Sequence, residues 1–152
     1  MAETSHDIRT LNSLIATVID SVDGYSESAK DVDSPRFSEL FLARADERRE
    51  VSEQLRAEVS RLGGEPEDDG TILAAGHRAF VNLKSAIASR DDQAVVAEVE
   101  RGEDHLKAKF EGALKDDELS PATRETIQAV WPSVKQGHDE MSQLKHSLEA
   151  SA

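Results

Sequence analysis

From Ile8 to Val32 the apolar side chains recur at alternating steps of three and four residues, through Leu11, Ile15, Val18, Val22, Tyr25 and Ala29. That spacing puts all of them on one stripe of an α-helix and conflicts with the two-residue period of a strand. Asp7, Asp20, Asp23 and Glu27 fall outside the stripe, so a solvated face is expected opposite a packed one. A helix over 6–31 follows, and its stripe needs partners to bury against.

The partners follow along the chain. Ser34-Pro35 is a restart signal: Ser caps the next helix, and Pro sits at its first position, where a missing N–H costs nothing. Phe37, Leu40, Phe41, Val51, Leu55, Val59 and Leu62 carry that helix over 34–62, and Gly63-Gly64 ends it. An acidic loop, Glu65 to Gly70, precedes a shorter helix over 71–88 marked by Ile72, Leu73, Phe80, Leu83 and Ile87. Asp91 or Asp92 caps a helix over 91–116, with Val95, Val99, Leu106, Phe110 and Ala113 on its stripe. Ser120-Pro121 then opens the last helix, 121–147, carrying Ile127, Val130, Trp131, Val134, Met141 and Leu144, with a kink expected at Pro132.

The two halves resemble each other, each placing an aromatic (Tyr25, Phe110) and then an alanine, Lys-Asp and Ser-Pro. The 18 residues of 71–88 would span about 27 Å at roughly 1.5 Å each, close to a bundle length. A crossover there gives an all-α four-helix bundle laid out up, down, crossover, down, up, as one domain over 1–152. A five-helix meander is the alternative.

Charge and composition exclude several functions. Against 18 Lys and Arg stand 31 Asp and Glu, a net charge of −13, which repels nucleic-acid phosphates and anionic lipid; neither nucleic acid nor membrane is an expected partner. There is no cysteine, so disulfides, zinc ribbons, thiol catalysis and cysteine-held clusters are out. No apolar run reaches the roughly 18–20 residues of a spanning helix, and the first ten residues lack a basic start and an apolar segment, so a cytoplasmic location is expected. Nucleophile elbows and phosphate-cradling glycine loops are absent.

Three of the long stripes break near mid-helix. The second helix passes through Arg44, Glu47 and Arg48, the fourth through Gly102 and Glu103, the last through Gly137 and His138, while the first contributes Tyr25, whose hydroxyl needs a partner if buried. One reading is a metal site: Glu47, Glu103 and His138 offer carboxylates and imidazole suited to a single iron, manganese or zinc ion. The preferred reading is a buried ion-pair layer in which Arg44 and Arg48 neutralise the carboxylates, with Tyr25 at the same level and no cofactor. His6, His105 and His146 read as surface residues, and His77 as a structural histidine on the crossover.

Gly24-Tyr25-x-Glu27-x-Ala29, Phe37-x-Glu39-Leu40-Phe41, Leu62-Gly63-Gly64-x-Pro66, His77-Arg78, Glu98-x-Glu100-Arg101-Gly102-Glu103-Asp104 and His138 together resemble an uncharacterised bacterial family of ferritin-like four-helix proteins, described only as a domain of unknown function. The resemblance spans about 8–147 and implies a ferritin-like fold without an established activity. More distantly the chain is similar to rubrerythrin and bacterioferritin, which implies two irons held by a Glu on one helix and Glu-x-x-His on the other helix of each hairpin. Here Val18 stands where the first glutamate would be, helix two offers Glu47-x-x-Glu50, and the last helix offers Lys135-x-x-His138. The expected protein is thus a non-enzymatic structural or stress-associated bundle that has lost a di-iron centre. The alternatives are a mononuclear metal protein in storage or redox protection, and an acidic helical interaction module; regular seams of this kind can continue across a symmetric interface, which makes a homodimer the partner to test for.

Overall fold

A computed structural model describes residues 2–67 and 92–151, with side chains described for 4–30, 32–67 and 92–150. Four helices run through them: α1 (Ala2–Asp31), α2 (Pro35–Arg61), α3 (Asp92–Leu114) and α4 (Pro121–Ser151). Their boundaries follow from local chemistry. Ser34 caps α2 by accepting from the Phe37 N–H, with Pro35 at the first position. Ser120 does the same for α4, its hydroxyl accepting from the Thr123 N–H. At the end of α2, Gly63 takes φ +83°, and the Gly64 and Gly63 N–H groups return to the Val59 and Ser60 carbonyls, a Schellman closure that a Cβ at Gly63 would strain. Pro132 lies inside α4, which is helical on both sides of it.

α1 packs on α2, α3 on α4, and the two hairpins meet along α1–α3 and α2–α4, so each helix packs mainly on two neighbours. Two sets of contacts set the directions. Asp33 and Ser34 donate their backbone N–H groups to the Asp92 carboxylate, joining the end of α1 to the start of α3, while His6 pairs with Asp116 at the opposite end. Arg44 reaches Glu140, and Arg48 reaches the Val134 carbonyl, so α2 and α4 also run antiparallel. α2 and α3 are therefore parallel. The helix expected over 71–88, with His77, Arg78 and Lys84, lies outside the described residues.

The two Ser-Pro corners are held alike. Asp92, first residue of α3, clasps the α1–α2 corner; Asp7 on α1 clasps the α3–α4 corner, accepting from the Ser120 N–H and the Thr123 hydroxyl, both at 3.1 Å. Asp7 and Asp92 stand at the same separation as Tyr25 and Phe110, which gives the internal likeness of the two halves a structural meaning. Asp7, expected on the solvated face of α1, is in fact buried; an N-terminal helix end supplies the donors that compensate its charge.

The core is in two parts. Leu11, Leu14, Ile15 and Val18 join Val51, Leu55, Val59, Leu106, Phe110, Ile127, Val130 and Val134 toward the start of α1. Tyr25, Ala29, Phe37, Phe41, Ala45, Val95, Val96, Val99 and Met141 fill the other end. Among the described residues no helix is long and apolar enough to cross a membrane.

Candidate functional site

Between the two apolar clusters α2 supplies Arg44 and Arg48, α3 supplies Glu100 and Glu103, and α4 supplies Gly137 and His138. At the centre Arg48, with no exposed surface, donates from Nη2 to the Glu103 carboxylate at 2.7 Å, and Glu103 is itself only 2% exposed. Gly137 makes room for this. A Cβ there would fall inside contact distance of Arg48 Nη2 and stand 3.2 Å from Arg44 Cδ, so α4 can pass a buried guanidinium only where it has no side chain. Gly102, by contrast, has open space around its Cα and faces solvent; it marks the break in the α3 stripe without taking part in the layer.

Arg44 is buried but pairs with Glu47 and Glu140, both partly exposed, so its charge is met at the rim of the bundle. Arg48 Nε and Nη1 and Arg44 Nε have no hydrogen-bond partner among the described residues, which leaves the layer ionically paired but incompletely hydrogen-bonded. Burial pushes the Glu103 carboxyl above its ordinary pKa against the pull of Arg48.

Tyr25 packs its ring against Phe41 with centroids 5.8 Å apart. Its hydroxyl lies beside the Glu103 carboxylate without closing a hydrogen bond of good geometry. Burial, then the Glu103 charge, hold the phenol well above its ordinary pKa. A phenol whose pKa is raised by folding stabilises the fold fully below the unfolded value of about 10, and that contribution is lost as pH rises from there through the higher folded value. Because Tyr25 is the single tyrosine, an alkaline titration followed by phenolate absorbance reads this group alone. No phenolate is expected to appear until helical circular dichroism is lost; phenolate at ordinary pH in a folded protein would contradict the burial.

The three residues read from the sequence as metal ligands do not converge. Glu47 is held outward by Arg44, Glu103 is held on the axis by Arg48, and His138 turns toward the α3–α4 seam. There its Nε2 meets Asp104 at 2.6 Å and its Nδ1 meets Asp139 at 3.2 Å. Although burial pulls the His138 pKa down, these two carboxylates leave it raised overall. The donors that do gather are Glu100, Asp104 and His138, all within 4.8 Å of one another. Glu100 and Asp104 stand four apart and so share one face of α3; that i, i+4 pair was visible in the sequence, but its match to His138 depends on the register between helices. Lys145 approaches Glu100 at 3.3 Å. A second group, His6, Asp116 and Glu118, lies where α1 meets the end of α3.

The central residues do not suit the di-iron centre that rubrerythrin-like proteins carry. Val18, where the resemblance to rubrerythrin implies a glutamate, offers no ligand atom and has no exposed surface, and Glu103 already serves a guanidinium whose charge would repel a pair of cations.

No curated protein matches the chain significantly. The profile of the domain of unknown function DUF2383 matches residues 6–116, from the start of α1 through the end of α3 and including Arg44, Arg48, Glu100, Glu103 and Asp104. The chain belongs to the DUF2383 family.

Proposed function

We propose that this protein is a non-enzymatic helical bundle, structural or stress-associated, whose central layer is an ion-pair network standing where a ferritin-like relative would hold iron. The observation that carries the reading is the Arg48–Glu103 pair, closed at 2.7 Å on the bundle axis with both side chains out of solvent. A carboxylate so placed has spent its charge on a neighbour, and with an apolar cluster on either side the pair belongs to the packing of the bundle rather than to a substrate.

The test is Glu103→Gln in untagged protein grown with iron, manganese and zinc. The melting temperature should fall while metal content, measured by plasma mass spectrometry, stays as in the parent. Loss of metal together with Glu103 would overturn the reading and restore a central site built on Glu103. The acidic surface, with a net charge of −13, favours one further reading, docking of a basic partner, and this predicts association that weakens steeply with salt.

A further inference from the structure

We infer that Glu100, Asp104 and His138 form a mononuclear site for a divalent transition cation, zinc or manganese, on the α3–α4 seam and separate from the central ion-pair layer. Three donors of the right kinds already face one another: two carboxylates one helical turn apart on α3 and an imidazole from α4, within 4.8 Å. A zinc or manganese ion with bonds of about 2.0–2.2 Å places its ligand atoms roughly 3–3.5 Å apart. The His138–Asp104 contact of 2.6 Å need open by less than about 1 Å to admit it, and Asp104 is exposed enough to move. Glu100 and His138 are nearly buried, so two of the three donors are held by packing, while the exposed Asp104 leaves an entry path.

One neighbouring carboxylate points the same way. Asp139 meets Nδ1 of His138, the carboxylate–imidazole pairing that fixes the ring and leaves Nε2 to face a metal. Lys145 holds an ammonium 3.3 Å from Glu100 and so competes for this donor; a cation entering the site must displace that flexible side chain, which is one-third exposed. One imidazole with two carboxylates is a borderline donor set, better matched to zinc or manganese than to the all-oxygen preferences of calcium and magnesium, and it leaves positions for water.

The experiment is calorimetric titration of the full chain with Zn²⁺ and Mn²⁺, with Mg²⁺ as the reference. One equivalent of Zn²⁺ or Mn²⁺ should bind; Asp104→Asn and His138→Gln should each weaken binding by roughly 10–100-fold. Lys145→Ala should tighten it severalfold, a gain that a purely structural cluster would not show. Asp104 is solvent-facing, so Asp104→Asn keeps the fold, with helical circular dichroism as the check. Heats no larger than those of Mg²⁺ would overturn the assignment. So would binding unchanged by Asp104→Asn, or lost in His6→Gln, which would place the ion at the His6, Asp116 and Glu118 group. Because Glu103→Gln leaves these donors intact, the outcome is read separately from that of the central layer.

Discussion

Glu103→Leu is expected to lose about 3–5 kcal/mol of folding stability, because it strands the Arg48 guanidinium in the core with neither water nor a counter-charge. For a chain of 152 residues this lowers the midpoint of thermal unfolding by on the order of 10 °C. Arg48→Met should cost a similar amount by leaving the Glu103 carboxylate unpaired. The double variant is the informative one. Arg48 has two buried nitrogens with no hydrogen-bond partner among the described residues, so the wild-type pair recovers only part of its desolvation cost. Arg48→Met with Glu103→Leu joins the two apolar clusters and should equal the parent or exceed it by about 1–4 kcal/mol. Denaturant unfolding of all four proteins closes the cycle. A double variant as weak as the sum of the singles would show that the layer supports the fold by more than its own pairing.

The second large effect is at Gly137. Gly137→Ala puts a methyl against Arg48 Nη2, and since this guanidinium is buried and tied to Glu103 its shift disturbs the ion pair, so a loss of about 1–3 kcal/mol is expected. Gly102→Ala is the opposite case: the glycine is mid-helix and exposed with nothing near its Cα, so alanine should stabilise by about 0.5–1 kcal/mol. Adding Arg48→Met together with Glu103→Leu to Gly137→Ala should return most of the loss, since the shorter, uncharged side chain vacates the contact and no buried carboxylate is left unpaired. If Gly137→Ala proves as benign as Gly102→Ala, the close passage of α4 over Arg48 is wrong.

These glycines show where sequence reasoning reaches its limit. Both interrupt an apolar stripe beside a charged residue, and nothing in the one-dimensional pattern separates them. What separates them is rotation about the helix axis relative to a neighbour: Gly137 faces α2 and Gly102 faces solvent. The same holds for Asp7. Its place outside the α1 seam indicated a solvated face, yet it is buried because the start of α4 comes to it with a backbone N–H and the Thr123 hydroxyl.

What the sequence by itself determined is local. The three-and-four spacing of Leu11, Ile15, Val18 and Tyr25, the Ser-Pro restarts and the glycine stop at Gly63 each act within one or two helical turns, where backbone geometry leaves little choice. The level of the polar break was legible too, because charges within an apolar stripe must be paired or lie at an edge. Which charge pairs with which was decided only by tertiary structure. Glu103 and His138 both interrupt stripes, but the register of α3 against α2 gives the first to Arg48, and the register of α3 against α4 gives the second to Asp104. Those registers come from the interlocking of two whole apolar clusters, a sum over many side chains on four helices that no single segment encodes.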